Sequence, residues 1–326
     1  MERFFEMDFQ TSEDQLYSHI RGGFCLFISL SFFRRITSVL FFIIIIFLIS
    51  PLCVNPGTGV DSLGNRITVP EGKVRIVSLS PGATETLYLL GLRDEIVGVS
   101  DFCNYPPEFV ETKPTMGGYS TPNVEKIRSV SPHVVILTTV VPLYLKDQFD
   151  KLGIPIFVSV PKSFNDLLVS IEQYGKLFCR EKYAYALIEK LMADVGEVTK
   201  VVRRGSIKPV RTFIEIFDNP LYAAGRNTLP GDIVTMAGGE VVPDTQEEYP
   251  RLSEENLIIL NPEAIILGHN TDLSNFIETR RSLAGINALR NRKIFVPDPD
   301  EFLRPCPRVV NALRDIARFL HPEAFQ

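Results

Sequence analysis

The sequence predicts an α/β protein of two lobes, each with a central, mostly parallel sheet, joined by a long helical connector and enclosing a ligand cleft. Three observations carry this. Strand and helix patterns alternate with short connections over residues 60–163, and the alternation restarts over 206–326. That rhythm implies parallel sheets covered on both faces. Residues 164–205, between the two stretches, read as helix almost throughout. Finally, the chain repeats a phrase. Residues 122–137, PNVEKIRSVSPHVVIL, align with 252–267, LSEENLIILNPEAIIL, when Glu125 is set on Glu255. Each copy then places a proline seven residues on (Pro132, Pro262) and ends an apolar run on a leucine (Leu137, Leu267). Each reads as a short helix opened by an acidic residue, where the helix dipole favours negative charge. A proline then stops the helix and a buried strand follows.

In chain order, residues 60–70 read as a hairpin turning at Gly64-Asn65. A strand at 75–79, a loop, a helix at 84–90 closed by Gly91 and a strand at 96–99 follow. After the first glutamate corner come a helix near 143–152 and the strand IPIFVSV. The patterns at 164–178 and 181–203 are proline-free, and Tyr183, Leu187, Ile188, Leu191 and Val195 recur at helical spacing. A stiff spine and an ordinary covering helix pair both fit that periodicity. Beyond Pro209, RTFIEIF is a strand, DNPLYAAGRN a loop and LPGDIVTMAGG a helix with proline near its start and glycine at its end. The second corner, a helix at 273–280, the strand KIFVPD and a terminal helix at 307–320 complete the second lobe.

Residues 1–59 fall outside these lobes. Residues 36–54 carry no charge and follow Arg34-Arg35, the order of an export signal or membrane anchor. Cys53 after LISPL faintly matches a lipidation signal, although Leu52 is larger than that signal prefers. Residues 1–33 form an unusual extension ahead of the basic pair; a start-site artefact and a true cytoplasmic extension both fit. The remaining domains are a first lobe at 60–163, connecting helices at 164–205 and a second lobe at 206–326. At 326 residues, 45% hydrophobic, the chain is long enough for two cores. Its net charge of −5, without a basic stripe, argues against nucleic acid.

The five cysteines and four histidines show no metal-ligand spacing, so no metal site is expected. Cys103 and Cys306, both in predicted loops, are the candidates for a disulfide; buried free thiols are the alternative. Dinucleotide, phosphate-loop, zincin and nucleophile-elbow motifs are missing. Asp298 and Asp300, in PDPDE, read as a solvated loop, and no catalytic residue is assigned.

Several runs together resemble the class III periplasmic substrate-binding proteins that serve importers of iron-siderophores and cobalamin. They are SLSPGATETLYLLG, VGVSDFCNYPPE, the two glutamate corners, FIEIFDNPLYAAGRNTLPGDIVTMAGGEVV and LRPCPRVVNALRDIARFLHPE. The resemblance covers about residues 58–322. It implies two Rossmann-like lobes, a long spanning helix, and delivery of a bulky metal chelate to an ABC permease driven by its own ATPase. It assigns Glu125 and Glu255 to docking on permease arginines, one per lobe. It lines the cleft with Pro81, Gly82, Ala83, Thr84, Phe102, Tyr119, Phe217, Tyr222, Tyr249, Asp300 and Arg304. Flat apolar faces suit a corrin. Cobalamin-binding relatives favour tryptophan at some of these places and this chain has none; Arg304 and Arg226 would instead suit an anionic ferric siderophore. Cobalamin is favoured over siderophore or haem, with no resident cofactor, and a monomer outside the cytoplasmic membrane is expected. The reading of a different class is an α/β enzyme or a chelate sensor using the same cleft.

Overall fold

A computed structural model describes residues 56–118, 120–138, 143–204 and 208–326. The apolar segment 36–54, its Arg34-Arg35 flank, Cys53, the extension 1–33 and Tyr119 lie outside the described residues. Among the described residues no helix is long and apolar enough to cross a membrane.

The chain enters through the hairpin β1 (Gly57–Val60) and β2 (Arg66–Val69). The buried Asp61 carboxylate holds its turn, accepting from the backbone N–H of Leu63 at 2.9 Å and of Asn65 at 2.8 Å. The first lobe is a parallel sheet in the order β4–β3–β5–β6, formed by β3 (Ile76–Ser78), β4 (Ile96–Val99), β5 (Val134–Leu137) and β6 (Ile156–Val158). Every residue of β3 and β5 is buried, as strands covered on both faces must be. Its helices are α1 (Pro81–Leu89), α2 (Pro107–Val110), α3 (Val124–Ser129) and α4 (Leu143–Lys151). Helix α1 begins three residues before the predicted start. Ser80 caps it by accepting from the Ala83 N–H, and Pro81 occupies the first turn, where its missing N–H costs nothing.

The connector consists of α5 (Phe164–Leu177) and α6 (Glu181–Arg204). At 24 residues α6 is about 36 Å long. Helix α5 packs on the entry hairpin, and α6 packs on α5 and on the last helix, so the pair spans both lobes.

In the second lobe β7 (Val210–Asp218) is central. Its first half pairs in parallel with β9 (Gly239–Val242), and its second half pairs antiparallel with β8 (Leu221–Ala223). On its other side lie β10 (Ala264–Leu267) and β11 (Ile294–Phe295), both parallel. The order β9–β7–β10–β11 thus repeats β4–β3–β5–β6. The helices are α7 (Leu229–Met236), α8 (Glu254–Leu260), α9 (Leu273–Thr279), α10 (Asn287–Arg290), α11 (Pro299–Phe302) and α12 (Val309–Leu320). β8 and α11 correct the sequence reading, and β9 is a strand that it did not assign. β8 lies in the expected loop, where three residues behind Asn219-Pro220 show no run long enough to register. Asp298 caps α11, so PDPDE is a helix turn rather than a loop.

One core runs through both lobes and the connector. Ile76 and Leu87, Ile171 and Leu191, and Ile214 and Leu313 belong to a single buried cluster. The opposite sheet faces carry smaller cores, with Val135, Leu137 and Phe149 in the first lobe and Phe213, Ile265 and Leu267 in the second. The repeated corners close those smaller cores. Ile127 of α3 and Leu257 of α8 are each wholly buried there. Asn123 and Ser253 cap the two helices in the same way, each side-chain oxygen accepting from the backbone N–H three residues on.

Since the two side chains fill equivalent places, Ile127→Ala and Leu257→Ala should cost similar amounts, about 2–5 kcal/mol each by the usual price of emptying a core site. Urea unfolding checks this, and a loss below about 1 kcal/mol at either site would contradict the equivalence.

Candidate functional site

Open α/β sheets bind ligands outside the carboxyl ends of their strands, and the candidate residues gather there in two groups. The second-lobe group is positioned by backbone pairing. Phe217 and Tyr222 face each other in the β7–β8 register, and Tyr222 forms a further bridge with Arg251. The Ala223 N–H donates to the Pro250 carbonyl at 3.0 Å, which sets Tyr249 beside this hairpin. Phe217 is 51% exposed and Tyr249 45%, although the molecule has ample core to hide them. The Tyr249 hydroxyl is raised above its ordinary value, first by partial burial and then by the neighbouring Glu248 carboxylate.

The first-lobe group contains Phe102, 52% exposed, in the loop after β4. Arg304 reaches it from the far end of the chain. Its guanidinium donates to the Phe102 carbonyl at 3.4 Å and to Asn104 Oδ1 at 2.6 Å, and pairs with Asp300 at 2.7 Å. Asn104 Nδ2 in turn donates to Asp300 at 2.7 Å. Arg304 is therefore committed to partners, and Arg226 is paired with Asp244 at 2.8 Å. Neither stands as an unpaired cation of the kind an anionic siderophore calls for.

Pro81 to Thr84, expected to line the cleft, form the first turn of α1, so residues 81–83 are helix rather than the expected loop. Gly82, Ala83 and Thr84 are buried. The Thr84 hydroxyl donates within the lobe, with Ser78 Oγ at 2.8 Å and the Ser80 carbonyl at 2.9 Å. A Cβ on Gly82 would sit 2.6 Å from the Pro305 carbonyl oxygen, so glycine is what lets the lobes approach there. Cys103 and Cys306 are free thiols rather than a disulfide, and burial pushes both thiols up.

Two polar clusters escaped the sequence reading. Glu85 of α1, 3% exposed, grips Arg308 through two bonds of 2.8 and 2.9 Å, and Arg304 stands 3.7 Å away. Arg308 also lies over the Tyr105 ring at 4.0 Å and meets Glu301 at 3.3 Å. Hydrogen bonding to Glu85 holds the Arg308 guanidinium well above its ordinary range. The other cluster surrounds Glu215 of β7, wholly buried between Arg280 and His269, whose Nε2 is 3.0 Å away. On the outside a third link, between Lys162 of the first lobe and Glu248 of the second, spans 2.6 Å. Both its members are exposed, which makes it worth about 0–1 kcal/mol at most.

A model of the periplasmic binding protein family matches residues 76–301. YvrC, an ABC transporter substrate-binding lipoprotein of Bacillus subtilis (strain 168), is 28% identical over 279 residues, 83% of this chain and 87% of that protein. The crystal structure of the periplasmic vitamin B12 binding protein BtuF of Vibrio cholerae is similar, with TM-score 0.65 and 25% identity, covering 77% of this chain and all but 2% of its own, a coverage of 98%. The apo periplasmic heme-binding protein RhuT from Roseiflexus sp. RS-1 shares the fold, with TM-score 0.68 and 24% identity over 78% of this chain and 100% of that one.

Glu85→Gln removes the buried carboxylate that Arg308 grips, leaving it only Glu301, and should cost up to about 3–5 kcal/mol, the range for breaking a buried pair. Calorimetry showing no loss would mean the seam is solvated. His269 is raised above its ordinary 6.5 by the Glu215 hydrogen bond, with Asp218 adding and burial and Arg280 opposing. A raised folded-state value stabilises the fold fully below about pH 6.5, and that stabilisation fades as pH rises through it. The melting temperature of His269→Gln should therefore lie furthest below that of the unmodified protein near pH 6, with the gap closing as pH rises through the raised value. A pH-independent gap would contradict the linkage.

Proposed function

The chain belongs to the periplasmic binding protein family, whose members are substrate-binding transport proteins rather than enzymes, and on that premise we propose that it captures a corrinoid, with cobalamin favoured, and delivers it to an ABC permease. An extracytoplasmic location goes with the family, and residues 36–54 are the segment proposed to export or anchor it. The observation that carries the corrinoid reading is the pairing of exposed aromatic faces with neutralised arginines. Phe102 stands on one lobe, and Phe217 and Tyr249 on the other, each about half exposed. Arg304 and Arg226 are already paired with carboxylates. Such a surface suits a broad macrocycle rimmed by uncharged amides better than a strongly anionic chelate. The vitamin B12 binding protein of Vibrio cholerae among the similar structures supports the same choice.

In this reading Glu125 and Glu255 dock the loaded protein. Both are exposed, on helices that open equivalent corners of the two sheets. One carboxylate per lobe meets cationic residues of the permease, and complementary charge sets the register. The protein acts as a monomer.

Titration with cyanocobalamin, haemin and a ferric hydroxamate in parallel tests the ligand. Saturable, stoichiometric binding of cyanocobalamin, returned unchanged, is expected. Conversion of a chelate without a stable complex, or binding only of haemin or the hydroxamate, would overturn the corrinoid reading. Tyr249→Ala and Phe102→Ala should each weaken binding by about 1–3 kcal/mol, the loss of a buried aromatic contact, while leaving the melting temperature in place.

A further inference from the structure

Next to Glu255 the second lobe presents a surface that the first lobe lacks. Helices α3 and α8 correspond residue by residue, with Ile127 and Leu257 both wholly buried and Glu125 and Glu255 both exposed. The next outward positions diverge. Arg128 and Ser129 follow in the first lobe, and Ile258 and Ile259 in the second. Ile259 is 81% exposed, the most exposed large apolar side chain among the described residues. Ile258 and Ile259 lie three and four residues after Glu255, so all three share one stripe of the helix. Helix α9, whose following turn is tied to α8 by a Ser282–Glu254 hydrogen bond, adds the exposed Leu273 and Ile277. Ile277 and Leu289 border a shallow hollow of about 530 Å³ there.

We propose that α8 docks on the permease through two unlike contacts at once: Glu255 pairs with a cation, and Ile258 and Ile259 enter an apolar recess beside that cation. The proposal rests on the reading that Glu125 and Glu255 face the permease. Charge explains the choice of partner. Helix α8 carries Glu254 and Glu255 and no basic residue, so an anionic lipid surface repels it. A two-fold contact between copies would turn the same carboxylates towards each other. A protein face with a cation set against an apolar recess satisfies both halves, with apolar anchors giving affinity and charge giving register. In the first lobe Arg128 and Ser129 stand where α8 has Ile258 and Ile259, so the apolar contact belongs to the second lobe.

The test transplants first-lobe chemistry onto α8 as Ile258→Arg with Ile259→Ser, beside Glu255→Lys as a separate variant. Binding to the importer's permease–ATPase complex in nanodiscs is measured at low salt and at about 0.5 M salt, where exposed charge contacts are largely screened. The isoleucine variant should lose at least about tenfold in affinity, as expected for apolar anchors, and its residual docking should vanish in high salt. The unmodified protein should keep part of its docking in high salt. Cyanocobalamin binding and melting temperature should not move, since all three side chains are exposed. If the isoleucine variant docks normally while Glu255→Lys fails, the apolar contact is wrong and the docking role of the glutamate stands. If both dock normally, the docking reading itself fails. Loss of sedimentation with bare liposomes in the variant assigns the patch to lipid, and loss of a dimer in ultracentrifugation assigns it to a second copy. Either result overturns the proposal.

Discussion

The buried carboxylate of Glu85 is the constraint on which the relation between the lobes rests. Beside the core that the two lobes share, Glu85 holds Arg308, with Arg304 close by, so that residues 223 positions apart in the chain form one seam. The low dielectric that strengthens this pair also makes it costly to break. Much of the cleft's first-lobe side follows from it. Gly82 is small enough for the Pro305 backbone to approach, and Arg304 is held against Phe102 and Asn104. Arg304, bonded to Asn104, Phe102 and Asp300, is part of the scaffold.

Around the seam the chain builds the same half-domain twice. β3, β4, β5 and β6 correspond to β7, β9, β10 and β11 in order and direction, and α3 and α8 open the same corner. Each lobe thus brings its loops to the same sheet end and one exposed glutamate to a matching place. The second lobe departs from this pattern by adding β8 to the far half of β7. That hairpin presents Phe217 and Tyr222, so the departure falls where the aromatic surface is built.

Legibility in the sequence followed the range of the forces involved. β5, β10 and the first part of β7 were plain because a buried parallel strand is a run of apolar residues. The connector was plain because α5 and α6 are long and free of proline. β8 and β9, three and four residues long, carry too little local pattern, and their neighbours decide them. The start of α1 was misplaced because Ser80-Pro81-Gly82 looks like a turn, although serine followed by proline is also a helix opening. At the site, exposed Phe102, Phe217 and Tyr249 were found through family resemblance, since no local pattern separates a cleft aromatic from a core one. The Glu85 and Glu215 clusters were invisible because their partners come from distant elements. The only local hints were a lone acid within an apolar helix, and Arg304 and Arg308 four residues apart.

The central claim is that one chelate is held by both lobes at the carboxyl ends of their strands. Hydrogen exchange with and without cyanocobalamin tests it most directly. The account predicts slowed exchange at residues 101–104 of the first lobe together with 217–222 and 249–251 of the second. Protection confined to one lobe, or lying at the opposite ends of the strands, would contradict it.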